Sequence, residues 1–598
     1  MDKQQQAAGS NPEQLVDIMS DIAQRSQSIV EDFINRQAAN GTSGPSPEMN
    51  QLGAAFMELT ARMMANPAEM MRAQFALWQD YMRLWQSTAQ RMMGQEPEPV
   101  IAPERGDRRF KDPAWNDNLL FDFIKQSYLL SSRYVLDATS SEDHGLDRKT
   151  QQKVEFYTRQ FVDALAPSNF VMTNPEVLRT TVESRGENLL KGLQNMLGDL
   201  EAGKGKLKIS MTDMDAFEVG KNIATTPGKV VFQNELMQLL QYEPTTEQVQ
   251  IRPLMIVPPW INKFYILDLQ AKNSFIKFAV DQGFTVFVLS WVNPDEKLAH
   301  KSFEDYMFEG PLAALDAIEK ATGQKDVTAI GYCLGGTLMA ATQAYMTAKK
   351  DNRIKALTFF TTMVDFTDPG ELGVFIDEEQ LAGIEEMMTK RGFLDGSEMA
   401  TTFNMLRAND LIWSFVVNNY LLGKEPFPFD LLYWNSDSTR MPATMHSFYL
   451  RRFYHENRLI EAGGVELGGE PIDLRKIRTP VYWVSTKEDH IAPWKSTYSA
   501  TQLYKGQKRF VLAGSGHIAG VINPPASGKY GYWTNAALPA DPDGWYETAT
   551  QNEGSWWNDW AEWNKAKSGK LVDARKPGDG ELKVLENAPG SYVAGKPT

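Results

Sequence analysis

Six short apolar runs, each ending in a turn, dominate the second half of the chain: VQIRPLMIVPPW, FTVFVLSWVNP, DVTAIGYC, IKALTFFTTMVDF, TPVYWVSTKEDH and KRFVLAGSGH. They lack the strict polar alternation of a strand that faces water, so each suits a strand covered on both faces. Helical spacings fill most of the intervals between them. This alternation predicts a mainly parallel sheet flanked by helices, with functional groups gathered at the C-terminal strand ends. The interval 366–470 breaks the rhythm, because it holds helical and aromatic segments but no strand for the sheet. It is too long for a loop and reads as an inserted cap.

At 598 residues the chain exceeds what one hydrophobic core organises. The expected order is a helical region and linker (1–105), a helical extension packing on the core (106–205), the first part of the core (206–365), the cap (366–470) and the second part of the core (471–598). Near the N-terminus, Asn11, Pro12 and Gln14 form a helix start, followed by an apolar stripe at Leu15, Ile18, Met19, Ile22, Ile29, Val30 and Phe33. A second helix carries Met71, Phe75, Trp78, Met82 and Trp85, stepping by 4, 3, 4, 3 like a seam that faces another helix. That seam either packs within the chain or offers an adaptable Met-rich surface to a partner helix, a second subunit or a hydrophobic particle. GQEPEPVIAPERGD, residues 94–107, reads as a linker.

Composition narrows the classes. Apolar residues make up 42% and charged residues 23%, and no run approaches the roughly 18 uncharged apolar residues of a spanning helix, so no membrane span is expected. Lys plus Arg number 61 against 76 Asp plus Glu, and a net charge of −15 repels nucleic acid. The N-terminus shows no secretory pattern, and a single cysteine forms no internal disulfide. A cytoplasmic setting is expected.

That one cysteine lies in GYCLGG, the G-x-C-x-G-G form of the nucleophile elbow of α/β-hydrolases, with sulfur in place of the usual serine oxygen. Gly331 and Gly335 remove side chains that would collide with strand and helix in so tight a turn. Cys333 would then project at the N-terminus of the helix GGTLMAATQAYMTA, where the helix dipole favours an anion, and the Leu334 N–H would face a developing oxyanion. An inert buried thiol is the plainer reading of the cysteine alone. The rest of the triad separates the two, since this fold requires an acid after a later strand and a histidine after the last. Asp489 follows one strand and His517 the next. His490 neighbours the acid but sits on the wrong strand, which suits a supporting role. His300, His446 and His455 read as satisfied structural imidazoles, and Asp365 is the rival acid. The expected fold is therefore an α/β-hydrolase with an inserted cap and a helical N-terminal region.

Sulfur in place of oxygen indicates the reaction. A thiol attacking a thioester preserves the activation of the acyl group, so an alcohol can attack the acyl-enzyme downhill to form an ester. A cap that excludes water lets that alcohol compete.

GYCLGG, PPWINKFYILDL (258–269), ANDLIW (408–413), KEDHIAPW (487–494), SGHIAGVINPP (515–525) and GSWWNDW (554–560), with APSNF and TNPE between 166 and 176, together resemble the poly(3-hydroxyalkanoate) synthases. The likeness is to the single-subunit type that favours short acyl chains, and it covers the chain from about residue 100 onward. The resemblance implies polymerisation of (R)-3-hydroxyacyl-CoA, such as 3-hydroxybutyryl-CoA, with release of CoA and no cofactor. It implies Cys333 as nucleophile, His517 as base, and Asp489 either orienting His517 or activating the 3-hydroxyl itself. A second oxyanion donor is expected near Trp260 or Ile261. The implied setting is a cytoplasmic polyester granule, with a homodimer joined at the cap, the growing polyester chain as a partner, and the N-terminal helices meeting the granule surface or phasin-like coat proteins.

Overall fold

The computed structural model describes residues 47–65, 67–140 and 145–595, which form two compact units. The expected stripe from Leu15 to Phe33 lies outside the described residues. Unit 1 runs to Asp213 and also takes in residues 403–427, and unit 2 comprises 214–402 and 428–598.

Unit 1 is helical: α1 (Pro47–Ala65), α2 (Pro67–Met92), α3 (Leu119–Ser140), α4 (Arg148–Ala164), α5 (Pro175–Glu183) and α6 (Glu187–Ala202). Local chemistry sets several of the ends. The Asp147 carboxylate caps α4 by accepting from the Lys149 and Thr150 N–H groups, and Asn174 caps α5, whose first residue is Pro175. Helix α2 packs on α3 through a partly polar edge. Leu84 is fully buried, the Tyr81 hydroxyl meets Ser131 Oγ at 2.8 Å, and Arg91 pairs with Asp122 at 2.5 Å. Most of the Met71–Trp85 seam stays open, with Phe75, Trp78 and Trp85 between 56% and 58% exposed, although the Trp85 ring also meets Phe123 of α3 at 5.0 Å between centroids.

Two sequence expectations change here. Residues 94–107 form no helix or strand, yet they are not a free tether, because Gln126 Oε1 accepts from the Val100 N–H at 2.8 Å. The interval 366–470 also does not stay together. Residues 403–427 belong to unit 1, where Asn188 donates to the Leu421 carbonyl and the Tyr420 hydroxyl meets Asp199 at 2.5 Å. Polar side chains on α6 supply the hydrogen bonds that this segment's backbone needs, a demand that local hydropathy does not reveal.

Unit 2 is built on an 11-stranded sheet. In chain order its strands are β1 (Gly228–Gln233), β2 (Met237–Tyr242), β3 (Leu254–Val257), β4 (Val286–Trp291), β5 (Val327–Tyr332), β6 (Ile354–Phe360), β7 (Val481–Thr486), β8 (Lys508–Ala513), β9 (Tyr532–Thr534), β10 (Thr550–Asn552) and β11 (Glu586–Asn587). The spatial order is β10-β9-β8-β7-β6-β5-β3-β4-β2-β1-β11. The six apolar runs supply β3 to β8, which pair in parallel, and the strands outside them pair antiparallel. Strands β3, β4, β5 and β7 are buried along their whole length, as runs covered on both faces should be. No segment between 366 and 470 joins this sheet; the short strands there pair only with one another. Helix α7 (Leu334–Ala348) follows β5 and is buried on nearly every side, and helix α8 (Trp556–Ser568) packs near the C-terminus. This is the expected α/β-hydrolase architecture.

Candidate active site

Strand β5 ends at Tyr332, and Cys333 turns the chain into α7 with φ 51° and ψ −117°. A side chain in that region stores about 1–3 kcal/mol of strain, which persists only when its surroundings hold it. Here the Cys333 N–H donates to the Phe360 carbonyl at 2.9 Å, and its own carbonyl accepts from Gly336 and Thr337. The two glycines act as the sequence predicted. A Cβ on Gly331 would sit 2.5 Å from the Gly336 Cα, and one on Gly335 would run into the Val257 and Pro258 carbonyls at the end of β3. The turn is thus closed by backbone pressed on backbone, and Cys333 is left half-buried at its tip.

Asp489 follows β7 and His517 follows β8. His517 Nδ1 lies 2.7 Å from Asp489 Oδ2, and both side chains are buried. Asp489 is saturated with donors: Oδ1 accepts from the Ile491 and Ala492 N–H groups at 2.9 and 2.8 Å, and Oδ2 also accepts from Thr486 Oγ1 at 3.0 Å. Cys333 is near enough to the same imidazole to act on its charge. Burial is the largest influence on His517 and favours the neutral ring. The Asp489 charge, the Cys333 charge and their hydrogen bonds together outweigh it, and the imidazole is pushed up to about 10. The ring also stacks on Tyr332, with centroids 6.2 Å apart.

The structure therefore brings together Cys333, Asp489 and His517, with Leu334 as the first residue of α7. An N–H at that position has no acceptor within the helix. The loop of Trp260 and Ile261 leaves β3 beside α7, and both residues are buried. Asp489 bonds to His517 and not to its neighbour His490, which is half-buried. Asp365 is occupied elsewhere, accepting from Thr367 and from Asn457 Nδ2 at 3.0 Å. His446 departs from expectation. It is buried with no hydrogen-bond partner on either ring nitrogen, and burial lowers it to about 4. Its neutral imidazole behaves as an apolar group, not as a satisfied one.

Sequence reasoning missed two tyrosines. The Cys333 charge reaches both Tyr449 and Tyr454, and after burial it helps hold the two phenols in their neutral forms. Tyr449 belongs to an aromatic wall with Trp260 at 5.7 Å, Phe453 at 5.7 Å and Tyr454 at 5.5 Å between centroids. The dense run SFYLRRFYHE was the available signal. The indoles of GSWWNDW carry a further role that periodicity did not reveal. Trp556 and Trp557 donate to the Gly520 and Val521 carbonyls at 2.9 Å each, which pins the loop just after His517. Among the described residues, no cluster of His, Cys, Asp and Glu could hold a metal ion, and no helix is long and apolar enough to cross a membrane.

Comparison with known proteins agrees with this geometry. Residues 106–279 match the family model described as the poly-beta-hydroxybutyrate polymerase (PhaC) N-terminus, and residues 253–524 match that of the alpha/beta hydrolase fold. The chain is 50% identical to a poly(3-hydroxyalkanoate) polymerase from Methylorubrum extorquens, across 91% of this chain and 90% of the relative. It is 49% identical to a poly(3-hydroxyalkanoate) polymerase subunit from Rhizobium meliloti, across 93% and 91%. With the corresponding subunit from Cupriavidus necator it shares 41% identity, across 91% of each. An elbow bearing sulfur, an acid and a histidine after later strands, and relatives of this identity along nearly the whole chain lead to one conclusion: the chain belongs to the poly(3-hydroxyalkanoate) polymerase family.

Proposed function

We propose that this protein polymerises (R)-3-hydroxyacyl groups, taken from coenzyme A thioesters, into a polyester, with Cys333 carrying the acyl group. The observation that carries the reading is His517 bonded to the buried Asp489 carboxylate, with Cys333 at the elbow near enough to act on the imidazole's charge. His517 takes the thiol proton, and sulfur attacks the thioester carbonyl. The oxyanion meets the Leu334 N–H and a second donor from the Trp260–Ile261 loop. CoA leaves as the carbonyl re-forms and takes the proton from the imidazolium. His517 then removes the proton of an incoming 3-hydroxyl, whose oxygen attacks the Cys333 thioester; the ester forms and the sulfur is freed.

The saturation of Asp489 favours one of the two roles open to it. With its oxygens already accepting from two backbone N–H groups, Thr486 and His517, it is suited to orienting the imidazole and stabilising its charge, as an orienting acid does. The raised His517 supports the same division of labour. The aromatic wall of Trp260, Tyr449, Phe453 and Tyr454 gives the acyl chain an apolar lining and keeps water from the thioester.

On this reading the product accumulates as a cytoplasmic granule, and the open Met71–Trp85 face of α2 meets the polymer surface, its coat proteins or a second subunit of a homodimer. Incubation with 3-hydroxybutyryl-CoA tests the proposal. CoA release should run in step with insoluble polyester, and release of soluble 3-hydroxy acid in its place would make the protein a hydrolase.

A further inference from the structure

Lys263 is a buried cation on the loop that leaves β3 beside the nucleophile, with a side chain only 4% exposed. Its ammonium pairs with Asp437 Oδ1 at 2.8 Å and donates to the Val593 carbonyl at 2.7 Å and the Gly595 carbonyl at 3.1 Å. Asp437 is held in turn, its Oδ2 accepting from the buried Tyr265 hydroxyl at 2.7 Å.

The backbone of the same loop is tied as well. Trp434 Nε1 donates to the Lys263 carbonyl at 2.8 Å, Thr439 Oγ1 donates to the Trp260 carbonyl at 2.9 Å, and Asn262 forms a β-bridge with Ser438. A trans peptide is planar, with its N–H opposite its C=O, so the Thr439 bond also fixes the direction of the Ile261 N–H. The start of the loop has no slack, since the Val257 and Pro258 carbonyls already press on Gly335 of α7.

We propose that Lys263 is a positioning residue: with Asp437 and the docked C-terminal segment around Val593 and Gly595, it holds the 260–263 loop so that its N–H group serves the oxyanion. The inference rests on the reading of the Cys333 site given above. The C-terminal segment is itself anchored, with the Tyr592 N–H donating to Gln238 Oε1 at 3.0 Å and its hydroxyl to the Asn234 carbonyl at 2.6 Å. Docking of the chain's last described residues and completion of the active site are then a single event, because both carbonyls that accept from Lys263 are in place only when that segment is.

The test uses two variants of the full protein. Lys263→Met with Asp437→Asn removes both charges together, leaving neither ion buried alone. A chain ending at Gly590 removes the two carbonyls and leaves the ion pair. Single-turnover CoA release from 3-hydroxybutyryl-CoA reads acylation of Cys333. Alkylation of Cys333 by iodoacetamide needs the thiolate but no oxyanion donor. In both variants acylation should slow by roughly 10²-fold, the loss expected for one misplaced donor. KM should stay within about threefold and alkylation within about twofold, since neither depends on that donor. Acylation at the wild-type rate in a folded variant overturns the inference. So does an equal fall in alkylation, or failure of both variants to fold, for the network is then structural only. If the wild-type protein releases CoA without labelling Cys333, it is the reading of the site that fails.

Discussion

Helices α2 and α7 are both rich in apolar side chains at helical spacing, yet they end in opposite environments. In α7, residues from Leu334 to Ala344 are buried without a break, packed against the sheet whose middle strand, β5, leads into Cys333. In α2 only Leu84 and Ser87 are buried among the described positions, while Met71, Phe75, Trp78 and Met82 are exposed and Trp85, also exposed, touches α3 only through Phe123. One helix turns its apolar surface into the precision of a single site; the other keeps it available. Side chains around α7 have no room to move, so small changes there should be costly, whereas α2 should tolerate large ones and lose only what it binds.

The strongest way to break this contrast is at the tip of α7. Cys333→Ser should leave the fold intact and lower CoA release by about 10⁴-fold or more. Near-normal turnover would show that sulfur is not the nucleophile. His517→Gln should come next, with acylation slowed by about 10³-fold, because the thiol loses its base. Mass spectrometry showing full, rapid labelling of Cys333 by substrate in that variant would contradict the role given to His517.

A single methyl group tests how tightly the α7 turn is built. Gly335→Ala would drive a Cβ into the Val257 and Pro258 carbonyls, and overpacking of this kind costs about 1–3 kcal/mol. A lower melting temperature together with slower acylation is expected; an unchanged pair of values would mean that the turn has slack.

The imidazole adds a pH signature to the same region. His517 is raised from its ordinary value of 6.5 to about 10, so its protonated form is favoured by folding. The stability it contributes is complete below about pH 6.5 and is lost as the pH climbs through about 10. Denaturant unfolding of the wild type should show that decline, and His517→Gln should flatten it. An identical slope in both proteins would remove the coupling to Asp489 and Cys333.

The smallest effect is expected in α2. Phe75→Ala with Trp78→Ala should change stability by no more than about 0.5 kcal/mol per site and leave acylation untouched, as exposed substitutions do. Self-association or sedimentation with polyester particles should weaken. If those are unchanged while stability falls, the seam packs within the chain after all.

Much of unit 2 is legible in its sequence, for a physical reason. A strand covered on both faces must be apolar throughout, and a nucleophile at a strained turn must have glycines around it; both demands are written in consecutive residues. The sequence alone therefore determined the six parallel strands, the elbow at Cys333, and the chain order in which Asp489 and His517 follow. Contacts between residues far apart in the chain leave no such local trace. Only the tertiary structure decided that Asp489 bonds to His517 and not to its neighbour, and that Tyr449 and Tyr454 lie near enough for the Cys333 charge to act on them. Folding likewise gave residues 403–427 to the helical unit and closed Lys263 over the last described carbonyls. Periodicity shows that a face is apolar, but what covers that face depends on where the rest of the chain comes to rest.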